Sequence, residues 1–278
     1  MKALELTKRF LRSRLTVKLL TVVLFFFLIY PPFKPVLDGV VKIVLLWGGL
    51  QLLVDLLTKR TCLRARHAVW LILLLLMGSV TILINHQSGF KENASMLCYT
   101  AVGMLVLYPN DETRSREDLL REMRIIGWVY IGLCAVGSLI SLLMLLMNYT
   151  ASYEYGGVTY YNGLYHSRLF GVFSNPNFPT AAIASALCAL QLFLCRDVTE
   201  NRKTLPFQYV CLGFCAFFNL LFLMLSQSRG SSLAFLAFLF VFLFFLFRKT
   251  LLSRISSLVA SCGLSFLASA VLLTAVAF

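Results

Sequence analysis

Long runs of apolar residues, separated by short polar segments, make up most of the chain. A helix needs about 20 mostly apolar residues to cross a bilayer, and the runs approach or reach that length. They predict nine membrane helices, two of them short for a straight crossing, at approximately residues 19–30, 36–57, 68–85, 94–107, 125–147, 179–194, 207–225, 233–247 and 255–278. The pattern therefore predicts an all-α fold, a polytopic helical bundle in which residues 1–278 form a single membrane domain.

The composition excludes a soluble domain. Hydrophobic residues make up 59% of the chain, 24 residues are phenylalanine, and the mean hydropathy is +0.83. The net charge of +13 does not indicate nucleic acid, because the basic residues form short clusters between apolar runs. The eight cysteines lack the spacing of a disulfide framework or a metal site. We therefore expect the lipid bilayer as a partner, and no nucleic acid, metal or cofactor.

The basic residues also predict the orientation of the helices. If the basic N-terminal segment, residues 1–18, is cytoplasmic, alternate loops place 20 of the 25 lysines and arginines on the cytoplasmic side. This is the positive-inside preference of membrane proteins. Residues 148–177 then form a long external loop. A cleaved signal peptide is disfavoured, because the segment Tyr30–Phe33 after the first run offers no small-residue cleavage site.

The external loop contains most of the longest polar interruption of the chain, which extends from Gly163 to Ala182. Asn177, followed by Phe178-Pro179, has the signature of a helix start, because Asn caps helices and Pro is tolerated in the first turn. The positive end of that helix dipole would face Arg168, which is the geometry of an anion site. The other candidate site residues of this stretch are His166, Gly171 and Asn175.

The same loop is rich in tyrosine and contains no lysine. Its six tyrosines are Tyr149, Tyr153, Tyr155, Tyr160, Tyr161 and Tyr165. Two interpretations stay open: an aromatic belt at the membrane interface, or rings that stack on a carbohydrate.

A second polar interruption covers residues 226–232, between two long apolar runs. Ser228 is a good N-cap, so Arg229 would lie in the first turn of the next helix. A cation there opposes the helix dipole and the positive-inside preference, which suggests a compensating anion such as phosphate. An arginine that extends to lipid headgroups is the alternative. Asp38 and Lys42, four residues apart, are expected to form a helix-stabilising pair.

Taken in order, these motifs resemble the core of the O-antigen ligase and O-antigen polymerase family. The resemblance covers roughly residues 120–250 and consists of Arg168-Leu-Phe-Gly171-Val-Phe-Ser-Asn175-Pro-Asn177, an apolar helix, and then Ser228-Arg229-Gly after the next helix. Members of that family are inverting glycosyltransferases of the bacterial cytoplasmic (inner) membrane. They take a glycan from an undecaprenyl-diphosphate carrier at its outer face, in the biosynthesis of cell-surface polysaccharide.

The resemblance implies roles for individual residues. Arg168 and Arg229 match the arginines that bind the donor diphosphate, while Gly171, Asn175 and Asn177 match the loop that shapes the site. Such ligases also have a large external loop with a histidine proposed as the catalytic base, and further helices after it. The present sequence stops at Phe278, where that loop should begin, so we expect a truncated chain that binds donor without completing transfer. His166 is the substitute candidate for the base.

Three function classes follow from these observations. The first is a lipid-linked glycan ligase or polymerase, whose acceptor the sequence does not identify. The second is a polysaccharide or lipid transporter or flippase, which usually shows ionisable residues near the middle of the membrane and often an internal repeat. The third is a non-catalytic membrane component.

Overall fold

The computed structural model describes residues 13–58, 60, 68–87, 90, 93–94, 97–98, 100–101, 115–155, 157–177, 180–197, 206–247 and 263. Within them lie seven α-helices, a 3₁₀ turn at Pro31–Phe33 and three strands. The helices are α1 (Arg14–Leu28), α2 (Lys34–Thr58), α3 (Ala68–Ile84), α4 (Arg116–Leu146), α5 (Thr180–Asp197), α6 (Pro206–Leu225) and α7 (Arg229–Phe247). The strands, β1 (Thr150–Tyr155), β2 (Val158–Tyr165) and β3 (Arg168–Gly171), lie between α4 and α5.

The chain is mostly helical, and three helices among the described residues are long and apolar enough to cross a membrane. They are Lys34–Thr58, Arg116–Leu146 and Phe207–Leu225. Their lengths follow from apolar runs without interior proline, and large apolar side chains along them are exposed, as lipid contact requires. The seven described helices overlap seven of the nine predicted spans. The predicted spans at 94–107 and 255–278 lie mostly outside the described residues, so the count of nine stays a prediction.

Within the predicted loop at 148–177, the three strands form an antiparallel sheet of order β1-β2-β3. The prediction of an all-α fold is therefore wrong for this segment. Threonine and tyrosine favour a pleated backbone, and glycine at a positive φ, as in Gly157 at +76°, permits the tight turn between β1 and β2. A bulge near Gly163 and Leu164 interrupts the pairing of β2 with β3.

The chain divides into two compact units, and the prediction of a single membrane domain is not tested by this division. One unit comprises Met1–Leu28 with Lys34–Ile126, and the other comprises Ile29–Phe33 with Gly127–Phe278. Helix α4 runs through the boundary at residues 126 and 127.

In the first unit, α1 packs on α2 through an apolar contact and two ion pairs. Val17 packs against Val44. The Arg14 guanidinium lies 2.7 Å from the carboxylate of Asp55 at the end of α2, and Lys18 pairs with Glu122 in the first turns of α4. Asp55, Lys18 and Glu122 are buried, and each is paired with an opposite charge that offsets the cost of its burial. At the other end of α2, the expected pair of Asp38 and Lys42 is confirmed at 3.4 Å.

In the second unit, the helices pack around Ile131 of α4, Cys188 of α5 and Leu212 of α6. A buried hydrogen bond of 3.0 Å joins Ser138 of α4 to the side-chain oxygen of Asn219 of α6. Small polar residues of this kind are common between membrane helices because they let the helices approach closely and satisfy each other's hydrogen-bonding groups.

Candidate functional site

Arg168 is positioned by the hairpin between β2 and β3. The two turn residues, His166 and Ser167, have φ values of +48° and +61°, the left-handed pair of a mirror-image two-residue turn. This turn sets the register, so that Tyr165 lies directly opposite Arg168. Residues directly opposite each other point to the same face of a sheet, and the Arg168 side chain therefore leaves the sheet on the same face as Tyr165.

The Arg168 guanidinium binds the turn that joins α6 to α7. Its Nε donates to the carbonyl oxygen of Ser226 at 3.2 Å, and its Nη2 donates to the carbonyl oxygen of Gln227 at 3.3 Å. Nη2 also donates to Oδ1 of Asn177 at 3.1 Å. A guanidinium has five N–H donors, and these bonds use three of them. Within the described part of the chain, the two N–H groups of Nη1 have no protein acceptor.

The turn itself is shaped by a left-handed residue and a helix cap. Gln227, at a φ of +51°, lies two residues after the end of α6, and its side-chain nitrogen donates to the carbonyl oxygen of Ser167 at 3.3 Å. The Ser228 hydroxyl accepts the Ser231 amide at 3.4 Å, and the Ser228 carbonyl accepts the Ser232 amide at 2.9 Å. The predicted N-cap at Ser228 is confirmed, and Arg229 is the first residue of α7.

Arg168 and Arg229 are thus brought to one turn. Arg168 binds the carbonyl of Gln227, and Arg229 follows Gln227 by two residues. Arg229 is exposed, whereas Arg168 is partly buried. None of the ion pairs among the described residues includes either arginine. The arrangement combines two guanidinium groups with the amide end of a helix, and these are groups that bind phosphate oxygens.

Asn177 connects three segments of this region, while the predicted helix start that follows it falls on residues outside the described part of the chain. Helix α5 is described from Thr180 onward, and residues 178 and 179 lie outside the described residues. The Asn177 side chain accepts the hydrogen bond of Arg168, its amide donates to Oδ1 of Asn175 at 2.9 Å, and its carbonyl accepts from Ser231 at 3.4 Å. Among the described residues, the predicted capping side chain is therefore a partner of the arginine.

Gly171 lies at the end of β3, where the sheet packs closely against α4 and α6. Its φ is +56°, and a Cβ atom at this position would overlap Ser141 of α4 and lie 3.1 Å from the Phe222 ring of α6. The hydroxyl of Ser141 also accepts the Val172 amide at 3.0 Å. Only a glycine lets the end of β3 approach the two helices this closely.

Ser228 and His166, which the sequence predicted as site residues, lie in different surroundings. Ser228 is buried and its hydroxyl is engaged by Ser231. His166 is exposed at the hairpin tip, where its ring packs edge-on against Tyr165 at 4.2 Å between centroids, and no hydrogen bond orients it among the described residues. The substrate and catalytic roles of these residues stay predictions.

Sequence reasoning missed the buried polar residues that hold the sheet in place. Asn162, almost fully buried on β2, donates through Nδ2 to the Gly171 carbonyl and to the Ser174 hydroxyl, both at 2.9 Å. Ser141 was missed as well, since a serine in an apolar helix carries no distinctive signal. Asn162 had a detectable signal, because an amide between tyrosines in a strand pattern faces the side opposite to its neighbours.

Among the described residues, no group of three or more His, Cys, Asp or Glu side chains is arranged to hold a metal ion. Compared with protein-family models, curated proteins and solved structures, the chain matches none.

Proposed function

We propose that this chain acts on a lipid-linked glycan in the manner of the O-antigen ligases and polymerases. In this proposal it is a multi-pass protein of the bacterial cytoplasmic membrane, with about nine helices and a cytoplasmic N-terminus. It binds an undecaprenyl-diphosphate-linked donor at the outer face and transfers or polymerises the glycan for cell-surface polysaccharide. Arg168 and Arg229 bind the diphosphate, and Asn175, Asn177, Gly171 and Ser228 maintain the shape of the site.

The observation that carries the proposal is the meeting of Arg168 and Arg229 at one turn. They are far apart in sequence, and the motif resemblance requires them to act on the same diphosphate. The hydrogen bonds from Arg168 to the carbonyls of Ser226 and Gln227 provide the connection. Charge-assisted bonds from arginine to phosphate are short, strong and often bidentate, so an arginine bound to this turn and a second arginine within it suit a diphosphate.

The packing within each unit supports the predicted topology. In the first unit, Arg14–Asp55 and Lys18–Glu122 join chain segments that the charge pattern assigns to the cytoplasmic side. In the second unit, the ring of Tyr30 contacts that of Tyr153 at 6.3 Å, and both are assigned to the external side. One helix too many or too few between residues 18 and 122 would place Lys18 and Glu122 on opposite sides of the membrane.

The proposed chemistry is an inverting transfer at the anomeric carbon. The acceptor hydroxyl oxygen forms a bond to C1 of the donor sugar while the bond from C1 to the diphosphate oxygen breaks, and the electron pair leaves with the diphosphate. The two arginines stabilise the charge that develops on this leaving group. A base must take the acceptor proton, and His166 is our candidate within this chain.

A transporter or flippase is the second candidate, because the structure contains the buried ionisable residues Lys18, Glu122 and Asp55. Intramembrane ionisable residues often mark an ion or substrate path. Each of these three forms an ion pair, and each lies near an end of its helix rather than at its centre. This placement favours a role in packing over a role in transport. A non-catalytic membrane component would lack turnover but share the donor site.

The proposal is tested by binding of undecaprenyl diphosphate to the protein in nanodiscs of neutral lipid. The cleaner variant is Arg229→Ala, because Arg229 is exposed and makes no described ion pair. We expect it to weaken binding by about 1.5–3 kcal/mol, the contribution of a hydrogen bond to a charged group. Arg229→Lys should recover only part of the affinity, since an ammonium lacks the planar fork.

Lys42→Ala is the matched control, because Lys42 is an exposed cation assigned to the same side of the membrane. It should leave the affinity unchanged. Equal loss of binding in the Lys42 and Arg229 variants would indicate general attraction of an anion to a basic surface. Unchanged binding in an Arg168→Ala, Arg229→Ala double variant of normal expression would refute the proposed donor site.

A further inference from the structure

One face of the sheet carries a compact group of aromatic rings. Tyr161 and Tyr165, four residues apart on β2, stack with centroids 4.0 Å apart and planes 14° from parallel. Gly163 lies between them on the same face and has no side chain to separate the rings. The Phe170 ring stands edge-on to both, at 6.3 Å from Tyr161 and 5.8 Å from Tyr165.

The two tyrosines are not equivalent. One side of Tyr165 is covered by Tyr161, and the His166 ring packs on it as well. Hydrogen bonding with Tyr161 raises the pKa of Tyr165 because it stabilises the neutral phenol. Tyr161 stacks on Tyr165 with one face only, and among the described residues no ring covers its other face. Tyr165 therefore supports the ring of Tyr161, which remains partly exposed.

Polar groups border these rings on the same face. Ser152 of β1 pairs directly with Tyr161, and Glu154 follows Ser152 by two residues, on the same side of the pleat. Arg168 pairs with Tyr165. We call this set the tyrosine face: Ser152, Glu154, Tyr161, Tyr165, Phe170 and Arg168. It presents an aromatic surface with hydroxyl and carboxylate groups at one edge and a guanidinium at the other.

We propose that the tyrosine face binds a pyranose ring of the donor glycan, which extends the proposed function and rests on it. In a lipid-linked glycan the first sugar is bonded directly to the distal phosphate. A sugar subsite must therefore adjoin the phosphate-binding group, and cross-strand neighbours such as Tyr165 and Arg168 have Cβ atoms only about 4.5–5.5 Å apart. The Tyr161 ring stacks on the apolar side of the sugar, while the oxygens of Ser152 and Glu154 accept hydrogen bonds from the sugar hydroxyl groups.

The charge of the face favours a sugar over the membrane surface. Glu154 is exposed, and a carboxylate beside the rings repels the anionic headgroups of a bacterial membrane. Tyrosines of an interfacial belt place single rings at the headgroup level around the protein. Here, three rings are packed on one another on one side of a small sheet.

The test compares two lipids in nanodiscs of phosphatidylcholine. The probes are sugar-free undecaprenyl diphosphate and the lipid-linked oligosaccharides extracted from the source cells, offered at equal concentration, with the bound lipids quantified by mass spectrometry. We expect the wild type to favour the glycan-bearing lipid. Tyr161→Ala should reduce that preference about tenfold, the equivalent of one good aromatic contact, and leave binding of the sugar-free lipid unchanged.

Two further variants separate stacking from folding. Tyr161→Phe keeps the ring and should stay within about twofold of the wild-type preference, since it loses only a hydroxyl. Tyr155→Ala is the matched control, because Tyr155 pairs with Val158 and so lies on the opposite face of the sheet. It should leave the preference unchanged.

The outcomes distinguish this inference from the proposed function. Equal binding of both lipids by the wild type, unaffected by Tyr161→Ala, would overturn the sugar subsite and leave the diphosphate site standing. Binding of neither lipid would overturn both. Strong quenching by brominated lipids of a fluorophore attached at Tyr161→Cys would identify the tyrosine face as a membrane-interface contact and overturn the sugar subsite.

Discussion

Gly171→Ala provides the most direct test of the close packing beneath the candidate site. At a φ of +56°, a residue with a Cβ atom is destabilised by about 1–2 kcal/mol. The new methyl group would also overlap Ser141 and lie 3.1 Å from the Phe222 ring, and overpacking of this kind costs about 1–3 kcal/mol. The expected loss of unfolding free energy is therefore about 2–5 kcal/mol.

Gly157→Ala separates the two contributions. Gly157 has a φ of +76°, and a Cβ atom there would have no neighbour within 4 Å. This control should lose only the backbone contribution, about 1–2 kcal/mol. The measurement is unfolding by SDS in mixed micelles, followed by circular dichroism, with undecaprenyl diphosphate binding measured on the folded protein. If both variants lose the same stability, the close approach of β3 to α4 is wrong.

A second substitution should reveal the overlap as a coupling. Ser141→Gly removes the atoms that a Cβ at position 171 would meet, at a cost of about 1 kcal/mol for glycine in a helix. It also removes the acceptor of the Val172 amide. The double variant should nevertheless be more stable, by about 1–3 kcal/mol, than the sum of the single losses, because the overlap is relieved. Strict additivity would mean that Ser141 does not restrict position 171.

Two further predictions concern the ion pairs and the topology. Glu122→Gln should destabilise the protein by about 3–5 kcal/mol in the same unfolding assay, because it removes the carboxylate that pairs with the buried Lys18. The double variant Lys18→Met, Glu122→Leu should recover most of that loss. A double variant as unstable as Glu122→Gln would contradict this account. In a cysteine-free background, a cysteine at the exposed Ser167 should react with a membrane-impermeant reagent in intact cells and one at the exposed Arg116 should not, and the reverse result would invert the proposed orientation.

Hydropathy predicted the helices well where apolar runs coincide with single helices. Helix α2, described from Lys34 to Thr58, extends only slightly beyond the predicted 36–57. Helix α4 begins nine residues before the predicted start at 125, because its first turns are polar. A sequence signal for this start was present: Ser115 is followed three residues later by Asp118, and the Ser115 hydroxyl accepts the Asp118 amide at 3.1 Å. Apolar periodicity does not detect such a cap.

The sheet was missed because its residues are neither apolar enough for a helix nor polar enough for a solvated loop. Tyr155-Gly-Gly-Val158 is a typical hairpin turn sequence, and tyrosine and threonine on both sides favour strands. The pairing of Tyr165 with Arg168 across a His-Ser turn is harder to predict, because that turn usually contains Asn or Gly. Chain order alone therefore predicted the candidate residues, while the register that aligns Arg168 with the tyrosines required the structure.

The charges at the turn provide a physical reason for an anion there. Arg168 is held against the carbonyls of Ser226 and Gln227, and these neutral dipoles satisfy its hydrogen bonds without cancelling its charge. Arg229 adds a second cation at the first turn of α7, where the helix dipole already disfavours positive charge. The charge of Arg229 and the helix dipole oppose each other, and no ion pair among the described residues includes either arginine. Arg229→Ala should therefore stabilise the ligand-free protein at low ionic strength while it weakens phosphate binding, whereas Arg168→Ala would also lose the hydrogen bonds to Ser226, Gln227 and Asn177. An anion site requires that removal of the charge raises the stability of the ligand-free protein and lowers its affinity for phosphate. If the arginine has a purely structural role, its removal should lower the stability of the protein both with and without phosphate.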